Sequence, residues 1–248
     1  MSVFGSQLAL GFNFGDVFLS DDGEPESFAA VVNGNSPPAH TADFSPAAEQ
    51  IPFADRIHGL IRLPQQSLAV FCDRSIQRIT GSPGAYATQV VRDGDGIMEY
   101  TAKNLNGMIC YTDVRGIGVL RASDLFGEVI PQYVSYPVSP WLDPRINRND
   151  SLPLPGVSCC EIVPNKDQYK LFLDDGYVLT MTLVGNNMSP EFSIQNLLYP
   201  VGWSCAGIYR DTLHQQFFAF KGTNNAKVYQ NDVGSTFDGA AITSRVEF

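Results

Sequence analysis

The chain is short of positive charge. It carries 16 lysines and arginines against 26 aspartates and glutamates, which gives a net charge of −10. Proteins that grip nucleic acid do so largely by neutralising phosphates with lysine and arginine. We therefore expect no specific nucleic-acid binding, although DNA can pass along a surface of like charge without adhering to it.

Long hydrophobic runs are absent as well. No segment approaches the roughly 20 apolar residues of a membrane-spanning helix, so we expect no membrane span. The amino-terminal segment lacks the basic region of a secretory leader and is interrupted by Gly5, Gly11 and Gly15. We therefore expect synthesis in a reducing cytoplasm. There the cysteines, odd in number, stay reduced: Cys72, Cys110, Cys159, Cys160 and Cys205.

Residue sets that carry chemistry are missing too. The histidines His40, His58 and His214 are isolated, and none has a second ligand at the spacing of a zinc site. The sequence has no Gly-x-Ser-x-Gly elbow and no glycine-rich phosphate loop. Acidic clusters such as Asp174-Asp175-Gly176 are interpreted as hairpin turns. We expect a protein that is not an enzyme and that binds no metal and no cofactor.

What the chain does contain is a unit that recurs four times, an apolar strand, a tight polar turn and a second apolar strand. The copies are LAVFCDRSIQRI, GMICYTDVRGIGVL, QYKLFLDDGYVLTM and HQQFFAFKGTNNAKVYQ. Their turns align on Asp73, Asp113, Asp174 and Lys221. Repeated hairpins at such a period are typical of propellers and solenoids. The alignment predicts equivalent places on equivalent strands for Phe71, Tyr111, Phe172 and Phe218.

The fold predicted from this pattern is all-β, a complete or partial β-propeller built from repeated antiparallel hairpin or meander blades. About fifteen strands with almost no helix, spaced about ten residues apart, belong to the sandwich, barrel or propeller class. We interpret residues 1–248 as a single domain. It begins with an N-terminal arm at 1–15 and carries two long loop insertions, at 33–50 and 127–156.

The second insertion holds the candidate site. Trp141 lies near Asp143 and Arg145, and tryptophan and arginine are enriched in interface hot spots. Trp141 could anchor a partner surface or could equally cap its own insertion. A short helix is predicted near Ser139–Ile146, with Ser139 as its N-cap and Pro140 at its first position. Tyr133 and Tyr136 lie just before it and complete a local aromatic cluster with Trp141.

Ordered motifs along the chain carry a family resemblance. They include Ser20-Asp21 with Pro25-Glu26, Leu68 with Val70-Phe71, Arg115-Gly116-Ile117 and Phe126-Gly127-Glu128. Over about residues 16–248 the sequence resembles the β-propeller tail proteins of short-tailed bacteriophages.

The resemblance implies a virion structural protein of the tail nozzle or tail hub type, made in the host bacterial cytoplasm. Such proteins assemble as a ring, commonly a hexamer, around the channel through which DNA leaves. The implied partners are other copies of the chain and neighbouring tail or adaptor proteins, with DNA present only in transit. Residues 33–50 and 127–156 are the two longest stretches without a strand pattern, and we expect them to make contacts between subunits or with a neighbouring tail protein.

Two other functions remain open on the sequence. One is a receptor- or carbohydrate-binding propeller module of the tail, which needs aromatic side chains clustered on one face, as Trp141, Tyr133 and Tyr136 would provide. The other is a hydrolase on a propeller scaffold. It needs carboxylates that converge, and the sequence does not place Asp113, Asp174 or Asp232 relative to one another.

Overall fold

The computed structural model describes residues 1–12, 15–21, 24–28, 49–63, 67–94, 96–122, 129–146, 156–184, 189–197, 204–210, 216–221, 226–230, 236–237 and 240–241. Most of the predicted loop at 33–50 lies outside these ranges, as do His40, His214 and Asp232.

The strands form antiparallel sheets that follow the order of the sequence. The first sheet contains β1 (Ser2–Phe4), β2 (Gln7–Phe12), β3 (Asp16–Asp21), β4 (Glu24–Phe28) and β5 (Glu49–Pro52). The second contains β6 (Ile57–Leu63), β7 (Ser67–Cys72), β8 (Ser75–Ser82) and β9 (Ala85–Asp93). The third contains β10 (Lys103–Leu105), β11 (Met108–Asp113), β12 (Gly116–Ala122) and β13 (Val129–Tyr133).

The later part of the chain continues this pattern. The fourth sheet contains β14 (Val157–Val163), β15 (Gln168–Leu173), β16 (Tyr177–Val184) and β17 (Ser189–Asn196). The fifth contains β18 (Ser204–Arg210), β19 (Gln216–Lys221) and β20 (Ala226–Gln230), and a sixth pairs β21 (Thr236–Phe237) with β22 (Ala240–Ala241). The helical elements are α1 (Ser139–Ile146) and the 3-10 turns Tyr136–Val138 and Pro164–Lys166. No helix in the described residues is long and apolar enough to cross a membrane.

The chain groups into two compact units. One consists of Met1–Ala102 with Leu120–Pro131, and the other of Lys103–Val119 with Gln132–Phe248. In the first, the core is built from apolar side chains of the first two sheets, including Phe4, Val17, Leu19, Leu60, Leu68, Val70 and Ile79. In the second, the largest fully buried side chains include Tyr111, Tyr169 and Phe172. That residues 1–248 form a single domain stays a prediction.

Two of the predicted irregular segments have regular structure. Residues 1–15, expected as an arm, contain the β1–β2 hairpin, in which Phe4 pairs with Gln7. Gly5, at φ +61°, supplies the positive φ that so tight a turn needs. The segment 127–156, expected as an insertion without strands, contains β13, a 3-10 turn and α1. Pro131 is tolerated in β13 because it is the last strand of its sheet.

The first strands of three sheets share a β-bulge at the same place. The extra residue is His58 in β6, Ser158 in β14 and Ala206 in β18. His58 Nε2 is hydrogen-bonded to Asp73 Oδ1, and Ser158 Oγ donates to Asp174 Oδ1. In both sheets the bulged residue therefore bonds the aspartate that opens the turn between the second and third strands.

The four repeats lie on equivalent strands, as predicted. Phe71, Tyr111 and Phe172 lie on the second strands of their sheets, two residues before the turn aspartate, and are fully buried. Phe218 is also on a second strand, but the prediction of its position is wrong by one residue. In the second sheet, the residue pair that follows the bulge is Gly59 with Phe71. In the fifth sheet, the pair at the same place is Gly207 with Ala219, so Ala219 corresponds to Phe71.

Candidate interface site around the helix after β13

The helix α1 is held by two buried side chains, Leu142 and Ile146, which lie one turn apart on the same face. The 3-10 turn leads directly into it, and Val138 N donates to Ser135 O at 2.9 Å. Ser139 already has helical angles, φ −51° and ψ −43°, so its predicted role as N-cap is wrong. The helical path begins earlier, at Tyr136 with Ser135 as the N-cap of the 3-10 turn, and Ser139 Oγ instead donates to Ser135 O at 3.4 Å.

Ser135 ties this helical segment to the β11–β12 hairpin. Its buried hydroxyl accepts the Ile117 N–H at 2.9 Å, and Val134 N donates to Ile117 O at 3.0 Å. The hydroxyl fits because Gly116 has no side chain. A Cβ there would lie 2.1 Å from Ser135 Oγ, and the φ of Gly116 is +124°. The Arg115-Gly116-Ile117 motif thus provides the space in which the helix is docked.

Asp113 fixes the other side of the same hairpin. Its carboxylate is buried, accepts the Arg115 N–H at 2.8 Å on Oδ1 and accepts the Tyr133 hydroxyl on Oδ2. Such charge-assisted bonds offset the cost of burying a carboxylate. The predicted site residue Tyr133 therefore serves to hold β13 against the turn.

Trp141 and Arg145 form the centre of the site. The Arg145 guanidinium carbon lies 4.1 Å from the centre of the Trp141 ring and 5.3 Å from that of Tyr177. The two rings meet edge to face at 5.8 Å and 76°. Arg145 Nε donates to Asp175 Oδ2 at 2.9 Å, and its Nη1 donates to Trp141 O at 2.7 Å.

These contacts fix the orientation of a partly exposed tryptophan. The Arg145 and Asp175 side chains remain 23% and 22% exposed, so solvent weakens their ion pair. The stack on Trp141 contributes roughly 0.5–1 kcal/mol at an exposed site. The structure therefore shows Trp141 packed by its own chain. Whether it also anchors a partner stays a prediction.

The two remaining predicted residues differ in their surroundings. Asp143 Oδ1 is buried, yet it accepts no hydrogen bond from any residue in the described ranges. Tyr136 is 86% exposed on the 3-10 turn, and Pro137, Pro140 and Pro144 are exposed beside it. The surface formed by these residues together with Trp141 and Arg145 is called the α1 surface below.

Sequence reasoning missed Tyr177 and Asp175 as members of the site. The turn Asp174-Asp175-Gly176 was interpreted correctly as a hairpin turn, in which Gly176 has φ +88° and Tyr177 N donates to Asp175 Oδ1 at 3.2 Å. The second oxygen of Asp175 pairs with Arg145, which is distant in sequence. No local motif signals this pairing.

No group of three or more histidine, cysteine, aspartate or glutamate side chains in the described ranges could hold a metal ion. Cys72, Cys110, Cys159 and Cys160 are free thiols, and the side chain of Cys205 lies outside the described set. Cys160 is buried and Cys159 half-buried, as expected of neighbours on a strand. Burial raises the pKa of the Cys160 thiol to about 12 and that of Cys72 to about 11.

These pKa values predict the order in which the thiols react. At pH 8, roughly one part in a thousand of a thiol with a pKa near 11 is thiolate, so Cys72 and Cys160 should resist alkylation in the folded protein. Cys159 should be alkylated before either of them. Iodoacetamide labelling with and without urea, read by mass spectrometry, checks this, with all five cysteines labelled in urea. A mass two hydrogens lower in unreduced protein would contradict the expectation that every thiol is reduced.

The raised pKa values also predict a loss of stability at high pH. Both thiols bind their protons more tightly in the folded state than in the unfolded chain, where a thiol has a pKa near 8.5. Their contribution to stability is therefore complete below about pH 8.5 and is lost as the pH rises towards the folded values.

Comparison with known proteins gives the fold a name. No family model matches the chain, and no curated protein matches its sequence. The structure is similar to the β-propeller domain of Cps50 (Swd1) from Myceliophteria thermophila, with a TM-score of 0.54 and 9% identity, covering 98% of this chain and 69% of that one. It is also similar to dihydro-heme d1 dehydrogenase NirN in complex with DHE, with a TM-score of 0.51 and 13% identity, covering 99% and 44% of the two chains. Identities this low show the fold alone, and that fold is an all-β, complete or partial β-propeller.

Proposed function

We propose that the protein is a structural component of a bacteriophage tail, of the nozzle or hub type, which assembles as a ring around the DNA-ejection channel. The observation that carries this proposal is a β-propeller fold in a chain whose ordered motifs resemble those of propeller tail proteins. One of these motifs, Arg115-Gly116-Ile117, has a structural reason in this chain, because Gly116 makes room for Ser135.

The charge of the chain supports the role of a conduit. A net charge of −10 on each copy gives a ring a strongly negative field, since the charges of its subunits add. DNA phosphates are repelled by such a field, so the nucleic acid passes in transit without specific binding. The protein is made in the host bacterial cytoplasm and then resides in the tail of the virion.

We assign the contact between neighbours to the α1 surface. Tryptophan, tyrosine and arginine dominate the energetics of protein interfaces, and all three are presented together there by Trp141, Tyr136 and Arg145. The stack with Arg145 orients Trp141 before a partner arrives, which lowers the entropy lost on binding. Asp143 Oδ1, which accepts no bond from the described residues, would accept a donor from the partner. That partner is another copy or a neighbouring tail or adaptor protein.

The test is the mass and shape of the purified assembly. Light scattering should give a multiple of the 27.1 kDa chain, commonly six copies, and negative-stain electron microscopy should show rings with a central hole. Monomers at all concentrations up to the millimolar range, with no ring on addition of tail proteins, would overturn the proposal.

The receptor- or carbohydrate-binding module is the second candidate. A partly exposed tryptophan near a tyrosine is the platform on which sugars stack, and Trp141 with Tyr177 has that composition. The Arg145 guanidinium already lies over the Trp141 ring, which leaves less of the ring for a ligand. A glycan array that gives specific binding, abolished by Trp141→Ala in a monomeric protein, would favour this candidate over the ring.

A further inference from the structure

The outer strand of the second sheet is unusually open. β9 pairs with β8 on one side, and among the described residues no strand pairs with its other side. Ala85, Ala87, Thr88, Gln89 and Val90 are all exposed, and Val90 is 56% exposed. A strand edge of this kind presents unpaired N–H and C=O groups, and its natural complement is another strand.

Most other edge strands of the described sheets carry the usual protection against such pairing. Proteins guard edges with short strands, prolines and charged side chains. β1, β10, β21 and β22 are at most three residues long. Most of the longer edges contain a proline or a charged residue before their last position: Pro25 in β4, Arg62 in β6, Pro131 in β13, Glu161 in β14, Pro190 in β17 and Lys227 in β20.

β9 has no proline, and its charged residues, Arg92 and Asp93, occupy only its last two positions. The stretch Ala85–Val91 contains no proline and no charged residue, and its β-branched residues favour a strand. A bulge at Val91 interrupts the ladder with β8 and leaves Ala85–Val90 as the regular part. This part is held firmly, because the Tyr86 hydroxyl donates to Gln7 Oε1 and the Tyr86 ring lies 5.5 Å from that of Phe4. A rigid edge loses little entropy when a second strand is added.

We propose that the edge of β9 is an interaction site for the same strand of a second copy, paired antiparallel across Ala85–Val90. An uncharged edge has no charge with which to select an acidic or a basic partner. It also lets two copies meet without like charges opposite each other, although each chain carries −10. A twofold arrangement covers both unguarded edges at once. This contact is separate from the α1 surface and does not depend on the ring.

The size of the contact sets its strength. Stable interfaces bury about 1,200–2,000 Å², and six residues of strand pairing supply much less than that. The pairing is therefore reversible and depends on protein concentration. This predicts a local signature, since the outward-facing amides of Ala85–Val90 exchange with solvent more slowly as the concentration rises.

The experiment compares variants of the full-length chain that each carry one added lysine, either on the edge strand β9 or on the edge strand β17. Thr88→Lys and, as a second variant, Val90→Lys put a charge on β9. Ser193→Lys puts the same charge on an exposed position of β17, which Pro190 and Glu191 already guard. Hydrogen exchange of the peptide that covers 85–90 is measured by mass spectrometry at low and high concentration, with sedimentation velocity in parallel.

In the native chain and in Ser193→Lys, we expect protection of this peptide to rise with concentration. Both β9 variants should weaken the pairing by about tenfold or more, because a lysine on an edge strand opposes the addition of a second strand. Urea unfolding at unchanged midpoints shows that the variants are folded. Protection that is independent of concentration, or that is the same in the β9 variants as in Ser193→Lys, would overturn the proposal.

Discussion

Replacing Gly116 with alanine is expected to lower the free energy of unfolding by about 4 kcal/mol. A left-handed backbone costs a side chain about 1–3 kcal/mol, and displacing Ser135 Oγ removes the partner of a buried N–H, at about 1–3 kcal/mol more. The Cβ would lie 2.1 Å from that oxygen at a φ of +124°, so both costs apply together. Urea unfolding followed by circular dichroism measures the change as a shift of the midpoint at constant slope.

The matched control is Gly107→Ala. Gly107 also has a positive φ, +86°, but a Cβ there would meet nothing within 4 Å, so only the backbone strain of about 1–2 kcal/mol is expected. A second control adds Ser135→Ala to Gly116→Ala. Because it removes the oxygen that clashes, its cost should not add in full to that of the single change. Equal losses in Gly116→Ala and Gly107→Ala would show that the docking of Ser135 contributes nothing.

Replacing Trp141 with alanine should abolish ring formation while the monomer stays folded. A hot-spot tryptophan contributes about 2 kcal/mol or more to an interface, which corresponds to a roughly 30-fold or greater loss of affinity for each contact. The loss in the isolated chain should be smaller, because the exposed stack with Arg145 contributes roughly 0.5–1 kcal/mol. Light scattering measures the assembly, and urea unfolding measures the monomer.

Val184→Ala is the control for this change, because Val184 is 41% exposed on β16 and away from the α1 surface. Val184→Ala should leave both the assembly and the stability of the monomer unchanged. If Trp141→Ala leaves the assembly intact and destabilises the monomer, then Trp141 serves only to cap its own helix.

The turns of this fold were predictable because their chemistry is local. Asp113 Oδ1 and Asp175 Oδ1 each accept the N–H of the residue two places later, Arg115 and Tyr177, so a short window of sequence contains these bonds. The same holds for α1, whose bounds Ser139–Ile146 match the prediction. Its cap was misplaced because the 3-10 turn before it has no distinctive residue pattern other than Pro137.

The position of Phe218 was misjudged because aromatic residues crowd β19. Phe217, Phe218 and Phe220 all fit an apolar pattern, but the register with β18 gives the place of Phe71 to Ala219. That register depends on the bulge at Ala206, and an alanine side chain gives no sequence signal from which a bulge could be predicted. A position that is set by backbone pairing with another strand cannot be read from the residue that occupies it.

The site was predictable only in part for a related reason. Trp141 and Arg145 lie four residues apart, so a helix brings them to one face and the sequence suffices. Their partners Asp175 and Tyr177 arrive from the next sheet, and the sequence alone has no means of aligning that turn with the helix. Without the contacts to Asp175 and Tyr177, the sequence could not decide whether Trp141 anchors a partner or caps its own insertion.

The order of the strands has a consequence for how the protein is made. Nearly every strand pairs with the strand before or after it in the chain, so each sheet closes through short connections. Short loops cost little entropy to close, and folds rich in local contacts form quickly. The strands of each meander can therefore pair as they leave the ribosome, whereas the core that the first two sheets share is completed only when both have been synthesised. A circular permutant that is opened between two sheets should therefore keep every strand pairing within those sheets.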